Sequence, residues 1–157
     1  MSFEEFFLDH YGDMVRSLAL AFGDRGAAED AVQEAFAKAH RSWRRVEAME
    51  RPHGWLYVVA CDAARRARAR TPDPEIETQA DLDPIGPVAS SIDLHDALRR
   101  LTARQRAVLV LRYLVDLPID EIARALGCAP GTVKATLHQS LQRLRIDMED
   151  REDTRER

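Results

Sequence analysis

The sequence has few of the residues that mark specialised protein classes. Its 157 residues include only two cysteines, Cys61 and Cys128, and neither belongs to a CxxC motif or a cysteine/histidine ligand spacing. We therefore expect two buried thiols in a reducing compartment, with neither a disulfide scaffold nor a metal site. Glycine and proline number seven each, which excludes collagen-like and low-complexity chains.

Long apolar runs are missing as well. The longest stretch begins at Ala107 but is interrupted by Arg112 and Asp116, well short of the roughly 20 residues that a membrane span needs. The N-terminus carries Glu4 and Glu5 without a basic start, so we expect no secretory signal. These features predict a cytoplasmic protein without a membrane span. Aromatic residues make up only 6%, so aliphatic and alanine packing must form the core.

Motifs for enzymatic chemistry are not found. The five histidines have no HxxxH or HExxH spacing, and no GxSxG, P-loop or dinucleotide fingerprint occurs. The sequence therefore predicts a protein that is not an enzyme, with no cofactor, no metal and no small-molecule substrate.

Charge is distributed unevenly along the chain, although the net charge is only −4. Residues 92–146 carry nine basic and five acidic residues, whereas residues 71–91 carry five acidic and no basic ones. The last segment, 147–157, is acidic again, with six acidic and three basic residues. A cationic segment between anionic flanks indicates a polyanionic partner.

The segment 71–91 is interpreted as a flexible linker between two domains, 1–70 and 92–146. It contains Pro72, Pro74, Pro84 and Pro87 and no aromatic residue. Fully extended, it could reach roughly 70 Å. The alternative is a long surface loop within one domain, a length that is uncommon in compact folds. The acidic tail 147–157 is predicted to be disordered.

Helical periodicity dominates residues 1–70, and nothing alternates as a strand would for long. The apolar spacing predicts one helix from Phe3 that ends at Gly23, a second along the stripe from Ala28 to Val46, and a third that starts at Pro52. The third helix finishes in four arginines within 65–70. Helix capping needs fewer, so these arginines favour a nucleic-acid surface.

Residues 92–146 contain a helix-turn-helix pattern. Thr102 is a plausible N-cap for the preceding helix. Ile122, Ala123 and Leu126 then form a short apolar face, Gly127 supplies a turn with positive φ, and Pro130 begins the next helix. A plain helical bundle is the alternative. The predicted exposed positions of the second helix are Thr132, Lys134, Ala135, Thr136, His138 and Gln139. Together the two segments predict an all-α fold of two small helical domains.

These segments resemble the extracytoplasmic-function group of bacterial RNA polymerase sigma factors, within the sigma-70 family. The stretch from Ala28 to His40 resembles the polymerase-binding helix. Residues 52–60, followed by 64–66, resemble the promoter-melting helix. The stretch from Leu101 to Tyr113, with Glu121-Ile-Ala and Gly131-Thr-Val-Lys, resembles the second DNA-binding domain. Two motif sets in the right order are far more specific than either alone.

The resemblance implies partners and roles for named residues. The partners are core RNA polymerase, promoter DNA and, as is common in the family, an anti-sigma factor. The residues implied to bind polymerase, or to support the helix that does, are Asp30, Gln33, Glu34, Phe36, Lys38 and Arg41. Those implied to lie at the minus-ten element are Trp55, Tyr57, Asp62, Arg65 and Arg66. Those implied to face the minus-thirty-five element are Arg104, Thr132, Lys134, Thr136, His138, Gln139 and Arg143. Phe36 is expected to pack inside and support its helix, and Trp55 is as compatible with the core as with DNA.

Some positions depart from the family pattern. Asp62 stands where asparagine is common, and a carboxylate cannot donate hydrogen bonds to a base. Ala129 replaces a frequent serine N-cap. Thr136 and Gln139 replace frequent arginines, which predicts fewer phosphate contacts. The competing hypothesis is a stand-alone helix-turn-helix regulator, which would bind duplex DNA unaided.

Overall fold

The computed structural model describes residues 1–70 and 90–155, with side chains described for 1–70 and 94–145. Within those ranges all regular structure is helical, as predicted. The helices are α1 (Phe3–Phe22), α2 (Arg25–Arg41), α3 (Trp43–Glu47), α4 (Pro52–Arg70), α5 (Ser90–Arg99), α6 (Ala103–Tyr113), α7 (Ile119–Leu126) and α8 (Pro130–Arg155). Most of the predicted linker lies outside the described residues, and its last two residues begin α5.

Local signals set the ends of α1. Ser2 and Glu5 form a reciprocal capping box, in which each side chain accepts from the other residue's backbone N–H. At the other end Gly23 adopts a left-handed conformation with φ of 74° and its N–H donates to Ala19 O. The predicted end of the first helix is confirmed.

The predicted second helix is two helices. Helix α2 stops at Arg41, Ser42 leaves the helical conformation with φ of −127°, and α3 follows. The ring of Trp43 packs 5.6 Å from Phe3 and 5.1 Å from Phe6, centroid to centroid. Packing of Trp43 on α1 accompanies this break, which the apolar stripe did not reveal.

The core of the N-terminal domain, α1 to α4, is built largely from small and aliphatic residues. Leu18, Val32 and Leu56 are fully buried. Ala35 and Ala39 are also buried without exposure, so α2 can approach its neighbours closely. This agrees with the expectation from the low aromatic content.

The C-terminal domain contains the predicted helix-turn-helix. Thr102 caps α6 in a capping box with Gln105. Gly127 ends α7 with φ of 66°, and α8 begins at Pro130. Helix α8 continues to Arg155, so residues 147–155 of the acidic tail are helical in this structure.

The two domains lie against each other. Helix α7 packs on α4, and α6 packs on α1. Buried side chains of both domains, such as Leu56 and Ile122, belong to one continuous apolar cluster. The seam between the domains is therefore part of the hydrophobic core.

Candidate nucleic-acid and polymerase interfaces

The predicted polymerase-binding residues lie on α2, whose first turn is fixed by Asp24. The Asp24 carboxylate accepts from Ala27 N at 3.0 Å. Five of the six predicted side chains are exposed or half-exposed: Asp30, Gln33, Glu34, Lys38 and Arg41.

Phe36, the sixth, is 3% exposed and packs against the rings of Phe7 and Tyr11 at 5.0 and 6.0 Å. Its burial agrees with the expectation that it supports the helix from inside. The five polar residues are thereby held on the outer side of α2.

Four charged side chains connect α2 to α4. Arg66 donates to Glu34 at 3.0 Å and to Asp62 at 3.0 Å, and Lys38 pairs with Glu34 at 3.2 Å. The hydrogen bond from Arg66, followed by that from Lys38, lowers the pKa of the Glu34 carboxyl below its usual value. The same carboxylates raise the pKa of Arg66, Glu34 foremost. Residues predicted for polymerase and residues predicted for DNA thus belong to one network.

Arg65 points toward the C-terminal domain. Its Nε donates to Ala125 O at 2.9 Å, and its Nη2 donates to Asp62 at 3.2 Å. Asp62 therefore contacts both arginines predicted for the minus-ten element. Where an asparagine would offer donors to a base, this carboxylate orients two guanidinium groups.

Tyr57 lies inside the fold. Its ring is 4% exposed, and burial raises the pKa of the hydroxyl to about 12 despite a hydrogen bond with Ser17. The ring is covered in this structure, and the role of Tyr57 at the opened minus-ten element stays a prediction. Trp55 is half-buried and packs against the core.

The helix-turn-helix presents most of its predicted side chains to solvent. Lys134, Ala135, His138, Gln139 and Arg143 are exposed, as is Arg104 at the start of α6, and Thr132 is half-exposed. Thr136 is the exception, since it is 8% exposed and faces the core. Its predicted exposure is wrong, because it follows Val133 by three residues and lies on the same inner side of α8.

Ser140 completes the inner side of α8 and was not predicted. It is fully buried, with its hydroxyl 2.7 Å from Thr136 O and 3.2 Å from Gln105 O. This contact fixes α8 relative to α6 and so sets the direction of the exposed residues. The heptad spacing from Val133 to Ser140 carries a signal that could have identified the position.

The residues that bond across the seam between the two domains were also not predicted from the sequence. Arg51 Nε donates to Glu121 Oε1 at 2.9 Å across the domains, and Arg106 Nε donates to Ala21 O at 3.4 Å. No local pattern marks these pairs, because Arg51 and Glu121 lie 70 positions apart. Among the described residues no cluster of side chains suits a metal ion, and none of their helices is long and apolar enough to cross a membrane.

Comparisons with known proteins match both domains. The family model "Sigma-70 region 2" matches residues 7–71, and "Sigma-70, region 4" matches residues 91–144. The RNA polymerase sigma-E factor of Streptomyces coelicolor is 30% identical over 156 residues, covering 94% of this chain and 86% of that protein. The ECF RNA polymerase sigma factor SigL of Mycobacterium tuberculosis is 33% identical over 138 residues, covering 82% and 78%.

Two solved structures share the fold. The sigma factor RpoE, in complex with the anti-sigma factor NepR from Bartonella quintana, aligns with a TM-score of 0.66 at 22% identity, covering 94% of this chain and 96% of RpoE. CnrH, in complex with the cytosolic domain of CnrY, aligns with a TM-score of 0.58 at 19% identity, covering 94% and 88%. The all-α, two-domain architecture is thus common to the three chains.

Proposed function

Since this chain belongs to the extracytoplasmic-function group of RNA polymerase sigma factors, we propose a division of work between its two domains. The protein is a sigma factor, which binds core RNA polymerase and directs promoter recognition and melting in transcription initiation. In our proposal residues 1–70 dock on polymerase and act at the minus-ten element. Residues 92–146 bind the minus-thirty-five element. The observation that carries this proposal is the match of both domains, in order, to sigma regions 2 and 4.

The C-terminal domain reads duplex DNA through the part of α8 from Thr132 to Arg143. Lys134 and Arg143 supply positive charge to phosphates. His138 and Gln139 are exposed side chains that can exchange hydrogen bonds with base edges in the major groove. Thr136 packs inside and takes no part in this contact.

The N-terminal domain combines docking with strand separation. The exposed side of α2 meets polymerase, while Arg65 and Arg66 on α4 attract the backbone of the opened strand. Glu34 binds both Lys38 and Arg66. Polymerase groups that contact Glu34 therefore compete with the hydrogen bond between Glu34 and Arg66. Docking on α2 thereby makes Arg66 more available to DNA.

The role is that of a non-enzymatic initiation factor, and polymerase carries out nucleotide addition. We place the protein in the cytoplasm, where polymerase and promoters are found. The complexes of RpoE with NepR and of CnrH with CnrY support the proposal that this chain also takes an anti-sigma partner.

Run-off transcription with purified core polymerase and a promoter library tests the function and identifies both elements together. We expect promoter-dependent transcripts that require this chain, and a strong loss for Lys134→Glu. Arg45→Glu makes the same charge change at an exposed position on α3, outside the predicted DNA surface, and should retain activity. Tight specific DNA binding by the chain alone, without association with polymerase, would instead support a stand-alone regulator.

A further inference from the structure

We propose that the facing imidazoles of His10 on α1 and His53 on α4 form a proton-sensitive contact, which weakens the packing of the N-terminal domain in mild acid. This imidazole contact is a regulatory input to the domain that we propose docks on polymerase, so its consequence for transcription rests on the proposed function. Its effect on stability is a property of the chain alone and can be measured without polymerase.

The two rings face each other where α1 packs against α4. Their centroids are 6.0 Å apart, and their planes are 20° from parallel. A buried aromatic ring packs against each imidazole. Phe6 lies 4.5 Å from His10, and Tyr57 meets His53 edge to face at 5.9 Å. Because both imidazoles are half-buried, a positive charge on either ring is only partly hydrated.

The imidazole contact lines a cleft of about 400 Å³ that gives a proton little support. Met14 on α1 contributes an apolar wall, as do Leu114 and Val115, which follow α6. Among the described residues that line the cleft, Asp13 is the one carboxylate, and it pairs with Arg16. A protonated imidazole therefore finds the negative charge of the cleft already engaged.

Charges on the neighbouring elements also oppose a proton on His53. Burial lowers the pKa of His53 below its ordinary value of 6.5, and positive charge on His10 and on Arg51 lowers this pKa further. Glu121 on α7 acts in the opposite direction, but its carboxylate accepts from Arg51 Nε at 2.9 Å. Tyr57 stays neutral, since burial raises the pKa of its hydroxyl to about 12. The folded chain therefore favours neutral His53.

The direction of the pH effect follows from this lowered pKa. Well above about 6.5 His53 is neutral in both the folded and the unfolded chain, and stability does not depend on its protonation. As pH falls below that value, the unfolded chain binds a proton that the folded chain does not bind, so stability decreases. The loss grows until the pH reaches the folded pKa. A proton on each ring would place two like charges 6.0 Å apart.

The test compares the full chain with His53→Gln, which has no titratable group at residue 53. His10→Gln removes the like charge that faces His53. His138→Gln is the matched control for unfolding, because it makes the same substitution at an exposed position on α8. Urea unfolding between about pH 7.5 and pH 5.5, followed by the fluorescence of Trp43 and Trp55, reports on the N-terminal domain. Proton NMR follows the titration of His53 directly.

Between those pH values we expect the equilibrium constant for unfolding of the unsubstituted chain to rise at least about threefold more than that of His53→Gln. His138→Gln should unfold with the pH dependence of the unsubstituted chain. The NMR titration should give His53 a midpoint below 6.5, and His10→Gln should move that midpoint upward.

Two results would overturn the proposal. One is an equal pH dependence of unfolding in the unsubstituted chain and in His53→Gln. The other is a His53 midpoint at or above 6.5, or one that His10→Gln leaves unchanged. The NMR measurement needs no substitution at residue 53, so it decides the matter even if His53→Gln does not fold.

Association with core polymerase is measured in parallel by size-exclusion chromatography. A chain that shows the pH-dependent stability but does not associate would refute the proposed function and leave the imidazole contact intact. A chain that associates and directs transcription, yet loses no more stability in mild acid than His53→Gln, would refute only the imidazole contact.

Discussion

The two surfaces predicted to meet DNA differ in the state of their cations. On α4, Arg65 and Arg66 are engaged by Asp62, Glu34 and a backbone carbonyl. On α8, Lys134 and Arg143 are exposed, with no ion pair to another residue in the part of the chain whose side chains are described. The two cations of the duplex-binding surface are thus available in the isolated chain, whereas Arg65 and Arg66 of the strand-melting surface are already paired.

The largest expected effect is a loss of stability, and it tests whether the two domains unfold together or independently. Leu111→Ala removes a fully buried side chain of α6 and should lower the free energy of unfolding by about 2–5 kcal/mol. Both tryptophans, Trp43 and Trp55, lie in the N-terminal domain, so their fluorescence in urea follows that domain alone. If the shared core couples the domains, the fluorescence midpoint falls too.

Leu141→Ala serves as the control for that measurement, because Leu141 lies in the same C-terminal domain as Leu111 but is 40% exposed. It should change the unfolding free energy by no more than about 0.5 kcal/mol. A circular-dichroism transition that shifts for Leu111→Ala while tryptophan fluorescence does not would show that the domains unfold independently.

The next effect in size concerns the turn that joins α7 to α8. Gly127→Ala forces a Cβ into a left-handed conformation with φ of 66° and against Arg65, which should cost about 1–2 kcal/mol. Gly131→Ala is the matched control, since nothing lies within 4 Å of a Cβ there. Thermal unfolding distinguishes the pair, and equal stability of both variants would contradict the strain argument.

A third prediction sharpens the contrast between the two cationic surfaces. Lys134→Ala should reduce the slope of log affinity against log salt by about 1 for duplex DNA. Arg66→Ala should change that slope less in the isolated chain, because Glu34 and Asp62 already neutralise the guanidinium. Filter binding at several salt concentrations measures both, and a larger change for Arg66→Ala would reverse the comparison.

The smallest effect is a pH dependence in the network between α2 and α4. Arg66 and then Lys38 lower the pKa of Glu34 in the folded state, so its contribution to stability is present above the unfolded pKa, about 4.5. The contribution is lost as pH falls through the folded value. Its size should stay below about 1 kcal/mol because the side chain is 42% exposed.

Glu34→Gln is the comparison for this effect, measured by urea unfolding from pH 7 to pH 3. The stability difference between the unsubstituted chain and Glu34→Gln should shrink toward acidic pH. A difference that does not depend on pH would mean that the ion pairs of Glu34 contribute nothing to stability.

Much of the fold could be predicted because its signals are local. The capping boxes at Ser2 and Thr102, the left-handed glycines at 23 and 127, and the apolar periodicity act within a few residues. The break at Ser42 escaped prediction because the packing of Trp43 on Phe3 and Phe6 is a tertiary contact. The tail 147–157 was predicted to be disordered from its composition, whereas α8 continues to Arg155.

In the candidate site, too, some features could be predicted from the sequence and others could not. Exposure of Lys134, His138 and Gln139 followed from helical periodicity. The burial of Tyr57 did not follow, because its cover includes α1 and a hydrogen bond with Ser17 far away in sequence. The pairing of Arg66 with Glu34 joins residues 32 positions apart, and no spacing rule relates them.

By itself the sequence determined the helices, the helix-turn-helix and the residues that give the chain its sigma-factor character, since caps, turns and amphipathic faces are set by neighbouring residues. Only the tertiary structure decided which cations are engaged and how the domains lie together. Arg51 with Glu121 and Arg65 with Ala125 become neighbours only when helices distant in sequence pack. That packing depends on the summed fit of both cores and not on any local pattern.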